Sequence, residues 1–372
     1  MIMSDKALET YQSLFALYSE KGPFSYSLDE KNAILLPLLN NLTHFHREEC
    51  EYFRNIMRTH FASGDADCLT SVPYVMVRLF KLLDMKSIEE QDVFRRLQSS
   101  GTSAQVTSKV ALDRATSQRQ SKTLVSIMQT ILGKQRLPML IIDKPSIVAK
   151  GAPFNARAAG IQGLAFLGRD HTYALNEDMS LNREAIKTFY QKYKGEKVLV
   201  FGFTFMIWQY LVLNLLEDKL DVRFDNAVVL HGGGWKKLTS EAVSNDMFKQ
   251  GMYDSLGISS VHNFYGMAEQ VGSVFLECNQ GYLHAPGYSD VIIRDPNTHR
   301  VQPHGKLGQI QVLSSVPTSY AGHSILTEDL GIIHGHDDCK CGWKGAYFTV
   351  TGRMPKVEVR GCSDTHTGGG GE

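Results

Sequence analysis

The chain has 372 residues, 43% of them hydrophobic, with 39 basic and 39 acidic side chains. That length fits one large domain or two to three lobes, and the balanced charge gives no reason to expect nucleic acid or an anionic membrane surface as a partner. No apolar run approaches the roughly 20 residues that would span a bilayer, and the start, MIMSDKALETYQS, lacks the apolar core of a secretory signal.

Residues 1–95 read as a helical N-terminal region packed on the core. Ala7, Leu8, Tyr11, Leu14, Phe15 and Tyr18 recur at helical spacing. Ser27 and Glu30 fit a capping box at the start of SLDEKNAILL, and Pro37 is expected to bend or break that helix. Leu38, Leu42, Phe45, Phe53, Ile56, Met57 and His60 then form one apolar stripe. Residues 96–271 read as an α/β core. The strand-like runs LPMLIID, KVLVFGF and NAVVLHGGG alternate with helical LNREAIKTFYQKY and FMIWQYLVLNLLEDKL, the pattern of a sheet with crossover helices. Residues 272–352, with GSVFLEC, DVIIRD and GQIQVLSS on short loops, predict a smaller and more antiparallel β subdomain. Residues 353–372 read as a hinge-like strand and a disordered tail, THTGGGGE, that has no core-forming residue.

Five short motifs carry chemistry. SSGTS, at 99–103 after a charged helix-like stretch and before another polar run, is compatible with an anion-binding loop: glycine frees the turn, and backbone N–H groups and hydroxyls converge on phosphate. It is not the GxxxxGK[ST] pattern, which disfavours a P-loop kinase or GTPase. HGGGWKK follows an apolar strand, NFYGMAEQ follows Val261, LTEDLG is expected to precede a strand, and TGRMPKVEVRG lies near the end. In this order the motifs resemble the adenylate-forming superfamily. SSGTS, GGGWK, FNARAAGIQG at 154–163 and the terminal RGCSD bring the chain closest to the LuxE-type acyl-protein synthetases, the long-chain-fatty-acid–luciferin-component ligase family, from about Pro73 to Ser363.

The resemblance implies the α/β fold of an adenylate-forming N-terminal domain; with nineteen residues after Arg353, the mobile C-terminal domain of the superfamily has no room. It implies that Ser99, Ser100, Gly101, Thr102 and Ser103 hold the β- and γ-phosphates of ATP. Gly232, Gly233 and Gly234 would let the backbone approach adenine, and Tyr265, Gly266 and Met267 would line the wall beside the α-phosphate. Glu269 would bind Mg²⁺, Asp329 the ribose hydroxyls, and Arg353 ribose or phosphate. Ala268 stands where the family has threonine, so Gln270 or a serine is expected to supply the missing hydroxyl contact, and Lys109, Lys236 or Lys356 to substitute for the absent domain's lysine. The implied reaction is activation of a carboxylic acid, fatty in this family, followed by transfer to Cys362 and on to a partner such as an acyl reductase. The acyl pocket is expected between FNARAAGIQG, the FTFMIWQY helix and the GGGWK loop. Two alternatives stay open: a CoA-ligase-like enzyme with a free thiol or amine acceptor, and a catalytically degenerate nucleotide-binding scaffold.

Six cysteines in so long a chain do not make a disulfide framework; a reducing cytoplasm fits better, where clustered cysteines bind metal or do chemistry. Cys278, His284, Cys339 and Cys341 supply three thiolates and one imidazole, a complete tetrahedral set for structural Zn²⁺, with His334 or His336 as alternative fourth ligands.

Overall fold

A computed structural model of the chain describes residues 5–99, 107–149, 156–235 and 241–354. These gather into two compact units, one built from 5–99, 107–127 and 266–354, the other from 128–149, 156–235 and 241–265. The N-terminal helices and the late β strands expected as separate segments therefore share a unit.

In that first unit the helices Asp5–Ala16, Leu28–Glu49 and Glu51–His60 lead the chain. The capping box forms: Ser27 Oγ accepts from the Glu30 N–H at 3.3 Å and the Glu30 carboxylate accepts from the Ser27 N–H at 2.9 Å. Pro37 does not break the helix. It forfeits one backbone hydrogen bond in mid-helix, but Leu35, Leu38, Leu39 and Leu42 around it are wholly buried, and that packing outweighs the loss. The chain turns at Cys50 instead, whose backbone is extended. The stripe runs as expected through Leu38, Leu42, Phe45, Phe53 and Met57, whereas His60 is exposed. Tyr11 and Lys31 tie these helices down: the Tyr11 hydroxyl donates to the Ser315 carbonyl, and the buried Lys31 Nζ lies 3.3 Å from Asp290 Oδ1.

Strand β1 (Val75–Met76) is followed by a hairpin of β2 (Arg95–Gln98) and β3 (Lys109–Leu112). Two hydrogen bonds extend the hairpin by one rung, Ser99 N–H to the Ser108 carbonyl and Ser108 N–H to Ser99 Oγ, both 2.9 Å. The helix Arg114–Leu132 follows, where the sequence read as a polar run. Its core-facing stripe is itself polar: Thr116, Gln120 and Thr123 are buried at helical spacing ahead of Ile127. Thr116 Oγ1 meets Thr318 Oγ1 at 2.8 Å, and Thr123 Oγ1 donates to the Gly272 carbonyl at 3.2 Å.

The second unit is a parallel sheet of β4 (Leu137–Ile141), β5 (Gly168–Tyr173), β6 (Val198–Phe203), β7 (Ala227–Gly232) and β8 (Ser260–Tyr265) in the order β5-β4-β6-β7-β8. Three of these strands, β4, β6 and β7, lie where continuous apolar runs predicted them, because strands covered on both faces need no alternation. Helices Ala156–Leu164, Arg183–Lys192 and Asn245–Leu256, and a helical stretch over 204–217 with a π turn at Ile207–Val212, complete the unit. From β4 the chain runs outward to β5 and then crosses back to β6. The order therefore reverses between β4 and β6, and their carboxyl ends form a topological switch point.

The chain then returns to the first unit with β9 (Phe275–Glu277), β10 (Leu283–His284), β11 (Ser289–Arg294), β12 (Gly308–Ser314), β13 (Ser324–His336) and β14 (Ala346–Arg353). They pair antiparallel in the order β9-β10-β14-β13-β12-β11, and β1 joins β13 in parallel. LTEDLG does not precede a strand: residues 326–331 lie inside β13, where register shifts against both neighbours carry the polar Thr327, Glu328 and Asp329.

Candidate functional site

Glu269 sits in the one-turn helix Ala268–Gln270 of the first unit and is only 5% exposed. Burial pushes its carboxyl above the usual range; the Ser108 hydroxyl and the cations Lys81 and Arg353 pull the other way. The turn is fixed by Gln270, whose Nε2 donates to the Gly322 carbonyl at 2.8 Å and the Val312 carbonyl at 3.2 Å. Gln270 therefore does not supply a donor in place of the family threonine, since its amide nitrogen is buried and both its hydrogens go to backbone carbonyls. The serine nearest the role is Ser108, buried at the base of the 99–108 hairpin. Gly322 must be glycine: a Cβ there would lie 2.8 Å from the Glu269 carbonyl.

Asp329 and Arg353 face each other in register on β13 and β14. Arg353 Nε lies 3.4 Å from Asp329 Oδ1, and Arg353 Nη1 lies 4.0 Å from Glu328 Oε2. Asp329 also receives a fixed backbone, its N–H donating to Thr327 Oγ1 at 3.1 Å. One unit thus gathers Glu269, Asp329 and Arg353. Ser99 belongs to it too, but its hydroxyl accepts the Ser108 N–H at the hairpin base. Ser100, Gly101, Thr102, Ser103, Lys236, Lys356 and Cys362 lie outside the described residues. Lys109 opens β3 and is exposed.

In the second unit Gly232 ends β7, where a Cβ would approach the Phe264 ring to 2.9 Å and the Phe264 carbonyl to 3.1 Å. Gly233 has φ +85°, and its Cβ would come within 2.6 Å of the Phe203 ring. Gly234, at φ +59°, faces open space. Thr204 Oγ1 donates to the Gly232 carbonyl at 3.1 Å, pinning the strand end. The helix Ala156–Leu164 approaches the same ring, since a Cβ on Gly160 would lie 2.7 Å from Phe203 Cζ. Leu175, Phe203, Phe205 and Met206 form a buried apolar cluster here, with Tyr210 and Trp235 packed against it. Tyr265 closes β8, and Gly266 and Met267 begin the following segment of the first unit.

The four expected metal ligands come together in the first unit. Their ligand atoms all lie within 4.8 Å of one another, Cys278 Sγ 4.0 Å from Cys339 Sγ and Cys341 Sγ 3.4 Å from His284 Nε2. The β9–β10 hairpin supplies Cys278 and His284, and the turn between β13 and β14 supplies Cys339 and Cys341. Burial pushes the Cys278 thiol up and the Cys341 thiol up to about 12, and holds the His284 imidazole down to about 4. His334, 3.0 Å from Thr349 Oγ1, and His336, its ring against His304, stand outside this group, so His284 is its imidazole.

The family profile described as acyl-protein synthetase, LuxE, matches residues 4–368. The chain belongs to that family. Its relatives include the long-chain-fatty-acid–luciferin-component ligase of Aliivibrio fischeri, 22% identical over 84% of this chain and 82% of that one. The protein of the same description from Vibrio harveyi is 21% identical over 92% and 89%. Among solved structures, an open conformation of 2-hydroxyisobutyryl-CoA ligase in complex with 2-HIB-AMP and CoA superposes with a TM-score of 0.68 at 16% identity, covering 91% of this chain and 78% of that one. This LuxE-family chain is thus a ligase with the α/β fold of the adenylate-forming enzymes. Among the described residues no helix is long and apolar enough to cross a membrane.

Sequence reasoning passed over Ser108, Lys81, Asp143 and Arg157. For Arg157 a signal existed: it is the one charged residue in the small, apolar run FNARAAGIQG.

Proposed function

We propose that this ligase uses ATP and Mg²⁺ to convert a carboxylic acid, by family a long-chain fatty acid, to an acyl-adenylate, loads the acyl group on Cys362, and delivers it to an acceptor protein such as an acyl reductase. A reducing cytoplasm is the compartment this thiol chemistry requires. The observation that carries the reading is the convergence of Glu269, Asp329 and Arg353 in one unit, two acids and a guanidinium of the kinds that bind Mg²⁺, ribose and phosphate.

In the first step a carboxylate oxygen attacks the α-phosphorus and the bond to the bridging oxygen breaks, releasing pyrophosphate. Glu269 fits Mg²⁺, since a buried carboxyl is charged only beside a cation. Mg²⁺ neutralises phosphate charge when bound. Asp329 accepts from the ribose hydroxyls, and Arg353, oriented by Asp329 and Glu328, donates to ribose or phosphate. Gly232, Gly233 and Gly234 are assigned to the adenine plane: Gly234 faces open space, and Gly232 and Gly233 admit the Phe264 and Phe203 rings that hold the turn. Ser100, Gly101, Thr102 and Ser103, with Ser99 holding the base of their loop, bind the β- and γ-phosphates; Tyr265, Gly266 and Met267 flank the α-phosphate. In the second step the Cys362 thiolate attacks the acyl carbon and AMP leaves. The Cys278, His284, Cys339 and Cys341 set is assigned to structural Zn²⁺: a tetrahedral site with ~2.3 Å Zn–S bonds has sulfur edges of about 3.8 Å, close to the 4.0 Å between Cys278 and Cys339.

The test is incubation with ATP, Mg²⁺ and a panel of carboxylic acids. Carboxylate-dependent ATP–pyrophosphate exchange and an acyl adduct on the C-terminal peptide are expected, the adduct alone disappearing in Cys362→Ser. No acid-dependent exchange with any acid would leave only the scaffold reading; exchange with acyl transfer intact in Cys362→Ser would point to a free acceptor.

A further inference from the structure

A buried, incompletely satisfied ion pair lies at the switch point of the parallel sheet. Asp143 follows β4 by two residues, and Arg157 lies in the first turn of the helix Ala156–Leu164. Asp143 is 1% exposed and Arg157 5%. Arg157 Nη1 stands 3.6 Å from Asp143 Oδ2, beyond hydrogen-bond reach, and donates instead to Met206 Sδ at 3.1 Å. Asp143 Oδ1 accepts from the Lys144 N–H at 2.9 Å. Asp143 Oδ2 and Arg157 Nε, both shielded from solvent, have no hydrogen-bond partner among the described residues.

A pair that served stability alone would be expected to close to hydrogen-bond distance and satisfy its remaining donors, because an unpaired buried polar atom is costly. Here the Nη1 corner of the guanidinium is engaged, and the Nε corner of the planar fork is not. That fork matches a carboxylate in geometry and charge. The surroundings match the rest of a fatty acid: Phe203, Met206 and the half-buried Tyr210 crowd the pair with apolar surface. The position also fits, since ligands of open α/β sheets bind at the carboxyl ends of strands where the order reverses. The Phe203 ring is approached both by Gly160, on the Arg157 helix, and by Gly233 of the glycine run.

We propose that Arg157, oriented by Asp143, is the residue that receives the carboxylate of the acid substrate at the ends of β4 and β6. The proposal rests on the ligase reading for the identity of the acid, but not on ATP or on Cys362. Its test is therefore made without nucleotide. Octanoate and octan-1-ol, which share a chain length and differ in charge, are titrated against the full chain, with tryptophan fluorescence as the signal because Trp235 packs on the cluster. The wild-type chain is expected to prefer octanoate. Arg157→Lys keeps the charge and loses the fork, and should weaken octanoate about ten- to hundred-fold, the worth of a charge-assisted bidentate contact, with octan-1-ol unchanged. Asp143→Asn removes the competing anion and should tighten octanoate several-fold. If either variant fails to fold, the wild-type thermal shift with octanoate against octan-1-ol remains decisive. Equal affinity of the wild-type chain for the two probes, or unchanged octanoate binding in both folded variants, would overturn the proposal. Arg157-dependent octanoate binding without any ATP–pyrophosphate exchange would leave it standing and remove the adenylation reading instead.

Discussion

His46 and His323 are stacked in the interior of the first unit, ring centroids 5.1 Å apart, and both are wholly buried. Ser87 Oγ lies 2.7 Å from His46 Nδ1 and Thr43 Oγ1 lies 3.0 Å from His323 Nε2, contacts that serve neutral rings. Burial, reinforced by the neighbouring ring, holds His46 well below its usual 6.5, and burial holds His323 down to about 3. Both rings are bases with depressed pKa in the fold, so the unfolded chain takes up protons that the native chain refuses. Stability is complete above pH 6.5 and falls as the pH drops below it, until the folded value is reached. His323 should therefore cost ~2 kcal/mol at pH 5 relative to pH 7.5, and His46 adds a loss of the same sign. The perturbation that isolates this is His323→Phe, which fills the site while Thr43 keeps its bond to the Leu39 carbonyl at 2.8 Å. Urea unfolding of both proteins at pH 7.5 and pH 5.0 gives the loss between the two pH values, in which any constant cost of the substitution cancels. The variant should lose ~2 kcal/mol less than wild type across that interval. An identical loss in the two proteins would show that His323 does not titrate on unfolding as argued.

Arg353→Ala should lower ATP–pyrophosphate exchange about 100-fold, as removal of a transition-state donor does, while shifting the melting temperature little because its pairs with Asp329 and Glu328 are partly exposed. Gly233→Ala and Gly234→Ala share left-handed strain of ~1–2 kcal/mol, but only the Gly233 Cβ meets the Phe203 ring, so thermal unfolding should show Gly233→Ala at least ~1 kcal/mol less stable than Gly234→Ala. Elemental analysis should find one zinc per chain, and Cys341→Ser should bring it below half an equivalent; a chelator that removes the metal should lower the melting temperature of wild type and leave that variant unmoved.

The parts of this fold legible in the sequence were those where burial leaves a simple pattern. Leu137–Ile141 and Val198–Phe203 are apolar on both faces and announce themselves, and Ser27 with Glu30 fixes a helix start to the residue. The helix Arg114–Leu132 was hidden because the face it turns inward carries Thr116, Gln120 and Thr123, whose partners Thr318 and Gly272 come from far along the chain. β13 was hidden by its shifted register, which lets Glu328 and Asp329 sit in a strand. The Cys278, His284, Cys339 and Cys341 set was readable because thiol and imidazole types at that spacing have few other uses, whereas the duty of Gln270 was not: only the approach of Gly322 and Val312 decides that its amide holds backbone. Arg157 and Asp143 carried no pairing signal, since they lie fourteen positions apart and meet only when a strand end and a helix come together.

Lys31 and Tyr11 reach across roughly 250 to 300 residues of chain to Asp290 and Ser315. Were translation to begin at an internal methionine such as Met57, Asp290 would lose its cation together with the helix Leu28–Glu49 that carries it, and Ser315 its Tyr11 partner. The shortened product would be a substrate for quality control rather than a leaner enzyme. The opening stretch acts as a keystone, set first by the ribosome and locked last.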